Sequence, residues 1–337
     1  YGVALIRAGS ERDAEALEEN YISAPVEPIK SMLGQSDFFS SATLSSIASG
    51  IAAGMNDVQS LFSNTLLARQ RGIKYVDWRI RQMVKYLVDI GAAELEGEEL
   101  SATRLGRRIS ELYILPETAA SIIDRAARPP QDFTDVTVMH LVVGTPDMNP
   151  TLISTQRDME IVGEFLEQHA REMFSPDSES SAFDEAKTVM ALKMWTEEAS
   201  FDAIYERLGV EPGDLHMVNE KATWLLYAAS ELTGFTGSKE VSTMAGLMSK
   251  RVKFGIKREL LDLVSLTGIG RARARNLFKA GFKNRSDLAK ASVERLSLVP
   301  GIGSKLALSL KKQVGGLIKD KNLKSGDFEQ KKLFRSG

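Results

Sequence analysis

The chain has 337 residues, room for two or three domains, and its 43% hydrophobic and 26% charged residues are an ordinary balance for a folded protein. It has no cysteine, which excludes disulfides and cysteine-held zinc, and its three scattered histidines, His140, His169 and His216, argue against a histidine metal site or a histidine-based triad. The net charge of -2 conceals an asymmetry: from Lys250 to Gly337, 22 Lys and Arg stand against 7 Asp and Glu, a surplus of 15, while 1–249 carries a net of -17.

Such polarity points to a polyanion at the basic end, to docking of the two parts on each other, or to both. No apolar run approaches the roughly 20 residues a membrane helix needs, and no signal-peptide pattern opens the chain. A cytoplasmic, nucleoid-associated protein with no membrane partner is expected.

Residues 1–33 begin with a short apolar strand, Tyr1–Ile6, which reads as cut from something larger. An acidic helix near Arg12–Tyr21 follows, then an extended stretch broken by Pro25 and Pro28. Residues 34–127 predict three helices and a hairpin. Leu44, Ile47, Ala48 and Ile51 recur at helical spacing. Asn56-Asp57 can cap a helix through Ala68. Val76–Ile90 carries Trp78, Ile80, Val84 and Leu87, with Trp78 expected in the core. Ala92–Leu95, a turn at Glu96-Gly97 and Glu99–Thr103 then read as two short strands. This is the outline of a winged helix, and because the segment is not basic, a packing role is favoured over DNA binding.

Residues 128–255 predict a helical bundle with helices at Asp132–Val143, Gln156–Met173, Phe183–Glu198, Ser200–Leu208, Asp214–Leu232 and Lys239–Phe254. Trp195 sits on an apolar face and is expected in the core. Trp224 follows Met217 by two turns, with Lys221 between them on one face. Burial in the bundle and a stacking platform for unpaired bases are both open at this point.

Residues 256–316 repeat themselves. Leu263–Gly270 (LVSLTGIG) recurs as Leu296–Gly303 (LSLVPGIG), 33 residues on. Each copy reads as helix, tight Gly-Ile-Gly turn, helix. The glycines Gly268, Gly270, Gly301 and Gly303 let the backbone turn and approach a ligand, and the amides that follow sit at a helix N-terminus, where a phosphate oxygen is favoured. Arg271, Arg273 and Arg275 trail the first copy; Ser304, Lys305, Lys311 and Lys312 trail the second. Two such hairpins hold successive phosphates without reading sequence. Residues 317–337 form a basic tail, expected to be mobile, in which Phe328–Phe334 has the look of a short docking motif for a single-strand-binding protein or a sliding clamp.

No phosphate loop is present, Phe183-Asp184-Glu185-Ala186 has adjacent acids with no such loop to serve, and no nucleophile arrangement is recognisable, so no catalytic residue and no metal ligand is assigned. The whole reads as a mainly α protein: winged helix with a small β-hairpin, helical bundle and tandem helix-hairpin-helix domain.

The chain also resembles the part beyond the motor domains of the archaeal Hjm helicases, superfamily 2 DNA repair enzymes related to the helicase region of DNA polymerase theta. The markers are Tyr21-Ile22 with Pro25–Ile29, Thr103–Arg108 before Leu112-Tyr113, Thr145–Met148, Pro212–Leu215, Trp224 and the paired hairpins. The resemblance implies that 1–33 is the end of a second RecA-like domain and a linker. It also implies that the RecA-like motors, with their ATP and Mg2+, are missing partners of this chain, which itself takes no cofactor. ATP-driven 3′-to-5′ unwinding of forked or replication-associated DNA is implied for the whole enzyme. It further implies that Trp224 contacts bases of a single strand. The family's companion arginine falls on Met217, which supplies no charge, and Lys221 is the nearest substitute. A non-enzymatic architectural DNA binder and an autoregulatory protein-interaction module are the other functions these features allow.

Overall fold

The computed structural model describes residues 7, 9–23, 28–176 and 178–315. The strand expected at Tyr1–Ile6, the break at Pro25 and the tail from 317 lie outside them. Among the described residues are eighteen α-helices and one two-stranded sheet, divided into two compact units after Glu111.

The first unit opens with α1 (Glu11–Leu17), which starts where the Ser10 hydroxyl accepts the Asp13 amide and continues as a π turn to Ile22. Four helices follow: α2 (Ser36–Ala48), α3 (Met55–Ser63), α4 (Leu66–Arg71) and α5 (Ile73–Asp89). The single helix expected from Asn56 to Ala68 is broken in two, because the Thr65 hydroxyl caps a fresh start at α4. Asp57 does not cap α3; its carboxylate accepts the Ala53 amide at 2.9 Å. Strands β1 (Ala93–Glu96) and β2 (Glu99–Ala102) pair antiparallel with Leu95 opposite Leu100, and α6 (Arg104–Glu111) closes the unit. Phe39, Leu44, Ile47, Val58, Phe62, Ile80, Val84 and Leu87 form its interior. Trp78, expected there, is 57% exposed: Val76, Ile80, Val84 and Leu87 already define the inward stripe of α5, and Trp78 lies off it.

The second unit starts with α7 (Pro116–Ala127). The boundary expected at 127 therefore moves to 111, for a packing reason. α7 buries Thr118, Ala119, Ile122 and Ala126 and packs on the bundle helices. Its N-terminus is tied down as well: the Leu115 amide donates to the Asp147 carboxylate at 2.8 Å, and the Asp147 amide to the Thr118 hydroxyl at 3.2 Å. The bundle continues with α8 (Asp135–Val143), α9 (Met159–His169), α10 (Glu179–Thr196), α11 (Phe201–Leu208), α12 (Pro212–Phe235) and α13 (Lys239–Phe254). Capping boxes at Thr134 and Ser178 start α8 and α10. Pro212 stands in the first turn of α12, where its missing N–H costs nothing. α12 is the axle. It packs on α7, α8, α10 and α13, burying Leu215, Val218, Ala222, Leu225, Leu226, Ala229 and Leu232.

The hairpin module follows: α14 (Leu261–Val264), α15 (Arg271–Lys279), α16 (Arg285–Lys290), α17 (Val293–Ser297) and α18 (Ser304–Gln313). It has its own core, in which Ile269 and Ile302, the central residues of the two turns, pack with Leu263, Leu277, Leu288, Leu296 and Leu310.

Candidate nucleic-acid interface

Gly268 and Gly301 adopt φ of 87° and 81°, the left-handed conformation that a residue with a Cβ avoids, so each turn can reverse within one residue. Gly270 and Gly303 then stand at the N-caps of α15 and α18, and no side chain caps either helix. A Cβ built on either glycine would meet nothing within 4 Å. Each turn thus presents first-turn amides that no side chain caps, at the positive end of a helix dipole and next to glycines with clear space at the Cβ position, an arrangement suited to a phosphate oxygen.

The side chains around the two turns differ. In the second copy, Ser304, Lys305 and Lys312 are exposed. Lys311, assigned from the sequence to the same surface, is corrected: it is 2% exposed, and its ammonium donates to the Ala289 carbonyl inside the module. It follows Leu310 onto the inward face of α18, where its stem packs.

In the first copy, two of the three arginines turn to the bundle. Arg271 donates to the Ala199 carbonyl at 2.8 Å, and its guanidinium lies 4.7 Å from the centre of the Trp195 ring. Burial lowers its pKa, with the charge of Glu198 opposing. Arg275 grips Glu198 with two nitrogens, one bond at 2.7 Å, and reaches Glu259 at 2.9 Å. Burial alone would raise the pKa of Glu198. The hydrogen bonds from Arg275 and from the Lys257 amide, with the charges of Arg275 and Arg271, hold it below its ordinary value. Arg273 does neither: it donates to the carbonyls of Gly301 at 3.0 Å and Gly268 at 2.9 Å, bridging the two turns.

Trp195, expected in the core, is half-buried at this joint. Its indole N–H donates to the Val252 carbonyl at 2.7 Å, and its ring packs on Phe201. Gly255 ends α13 at φ 63°, and a Cβ there would fall 2.4 Å from that ring, so only glycine lets the chain pass. Buried Arg251 adds bonds to Asp135, Glu197 and the Ile256 carbonyl. Part of the basic surplus is therefore matched internally by bundle carboxylates.

On α12, Trp224 is half-buried, and its indole N–H donates to the Leu112 carbonyl at 2.9 Å. This bond fixes the ring while leaving part of it in solvent. Met217 is 37% exposed. The Lys221 ammonium is engaged by the Asn149 carbonyl, so the proposed substitute for the missing arginine charge is tied to the backbone. The adjacent acids of α10 are structural: Glu185 accepts from His140 at 2.8 Å, and Asp184 accepts the Ser154 amide. Burial lowers the His140 pKa despite Glu185.

Sequence reasoning missed a stripe on α5. Lys74, Trp78, Arg81 and Lys85 are all exposed and follow at intervals of four, three and four, hence on one face. The charge of the whole segment hid it; the helical spacing could have shown it.

Three family models match: a helix-turn-helix domain over 9–91, domain 4 of archaeal helicases over 136–255, and a SAM-like helix-hairpin-helix tandem over 260–314. The chain is 33% identical over 328 residues to the ATP-dependent DNA helicase Hel308 of Methanocella arvoryzae, covering 94% of this chain and 44% of that protein. The chain resembles the accessory region of archaeal superfamily 2 helicases. It is also 33% identical over 318 residues to the Hel308 of Pyrobaculum calidifontis, and 31% over 307 to that of Thermoplasma acidophilum, covering 93% and 91% of this chain. It spans less than half the length of these relatives, 44% and 43% for the last two.

Proposed function

We propose that this chain is the DNA-binding accessory region of an ATP-dependent 3′-to-5′ helicase of forked or replication-associated DNA, working in the cytoplasm beside RecA-like motors that use ATP and Mg2+. In this reading the bundle guides a single strand past Trp224 on α12. The hairpin module grips backbone through the amides after Gly270 and Gly303, with Ser304, Lys305 and Lys312 alongside. The observation that carries it is the pair of open, uncapped helix N-termini in a module bolted to the bundle by Arg271 and Arg275. Binding of tailed duplex by the chain should fall with added salt, and Lys305→Ala with Lys312→Ala should flatten that dependence by about one unit of slope for each phosphate no longer held. Binding that ignores salt, or none, would sink the reading.

The stripe on α5 favours a second element of the same function. The helix-turn-helix unit would meet duplex backbone through Lys74, Arg81 and Lys85. Charge reversal at Arg81 and Lys85 should then weaken duplex binding and leave single-strand binding intact. Docking of the C-terminal tail on a single-strand-binding protein or clamp belongs to this proposal and is tested by deleting 317–337.

A further inference from the structure

The geometry points to Tyr113 as a second aromatic contact for the unpaired strand, stacking on a base next to the one at Trp224; this rests on the strand path proposed above.

Tyr113 follows the end of α6 in a left-handed turn, φ 57°. Helices often stop on such a residue, but the position ordinarily takes glycine or asparagine, because a Cβ is strained there. A tyrosine breaks that local rule. Its neighbours explain how the turn is held. Leu112 and Ile114 are both buried, which throws the residue between them outward, and Tyr113 is 88% exposed. Among the described residues no large hydrophobic side chain is more exposed. The turn is pinned on both sides: the Leu112 carbonyl accepts the Trp224 indole N–H at 2.9 Å, and the Leu115 amide donates to Asp147 at 2.8 Å.

The same indole that fixes the turn is the proposed base contact. From peptide bond lengths, the Tyr113 Cα lies within about 6 Å of the Trp224 ring nitrogen. A ring carried on that Cα is therefore within reach of a base beside the one at Trp224. Tyrosine suits the task, since a ring with few rotatable bonds stacks on any base at small entropic cost. Strain kept in place by surrounding bonds, on a side chain with no burial to gain, is accounted for by a ligand that the ring meets.

The test uses the whole chain and single-stranded oligonucleotides containing 5-iododeoxyuridine, with photocrosslinks mapped by mass spectrometry and affinity read by fluorescence anisotropy. Crosslinks are expected at both Tyr113 and Trp224. Tyr113→Gly fits the left-handed turn, so its thermal midpoint should not fall, while single-strand affinity drops about tenfold. Tyr113→Phe should bind as the parent does. Crosslinks at Trp224 without any at Tyr113, or full affinity in Tyr113→Gly, would overturn the assignment and leave the strand path standing; the first pattern would mean that the ring faces protein. A chain that binds no single strand would overturn both.

Discussion

Removing Glu198 tests the joint between bundle and hairpin module. Its carboxylate takes two nitrogens of Arg275 and the Lys257 amide, with side-chain exposures of 14% for Glu198 and 21% for Arg275. Breaking a fully buried pair costs about 3–5 kcal/mol. The partial exposure here, and the retained Arg275–Glu259 bond, scale the cost of Glu198→Ala to about 2–3 kcal/mol. A cycle of Glu198→Ala, Arg275→Ala and the double variant, measured by denaturant unfolding, should give a coupling of about 1–2 kcal/mol. Hydrogen exchange in α15 should rise in step. Additive effects within about 0.5 kcal/mol would show that the two side chains do not hold the joint. The pH dependence follows from the depressed carboxylate. Its contribution is complete above the unfolded pKa and is lost as pH falls through the folded one, so the joint should loosen in acid, below the ordinary carboxylate range.

Lys311→Met should leave DNA affinity unchanged, because the ammonium is buried on the Ala289 carbonyl, whereas Lys305→Met should weaken it on all sequences alike; anisotropy on two unrelated oligonucleotides checks both. Trp224→Phe loses the indole N–H donor and leaves the Leu112 carbonyl unpaired, so it should cost about 1 kcal/mol in unfolding stability as well as single-strand affinity. His140 is held neutral by burial, its folded pKa below its unfolded one. Stability from this group is full above about 6.5 and declines as pH falls below that, which a melting series from pH 8 to pH 5 in His140→Gln and parent would isolate.

The paired turns were legible because their information is local: glycine spacing, an apolar residue between, basic residues after. The allegiances of the arginines were not. A charge on α15 is the same letter whether it faces a phosphate or Glu198, and the partner lies 77 residues away. α7 misled for the opposite reason, being next to the winged helix in sequence yet sharing its buried face with α12. Trp78 was misplaced because apolar residues on α5 occur on both sides of the helix, and only the packed stripe at Val76, Ile80, Val84 and Leu87 distinguishes them. Lys311 and Lys312 are adjacent letters with opposite fates, set by the pitch of α18.

Arg273 sits between the two turns with one hand on each, bonded to a carbonyl of Gly268 and one of Gly301. A single planar group so clamped works as a gauge block. Any drift or twist of one turn against the other breaks one of its two bonds, so the relative placement of the two helix ends rests on a single side chain.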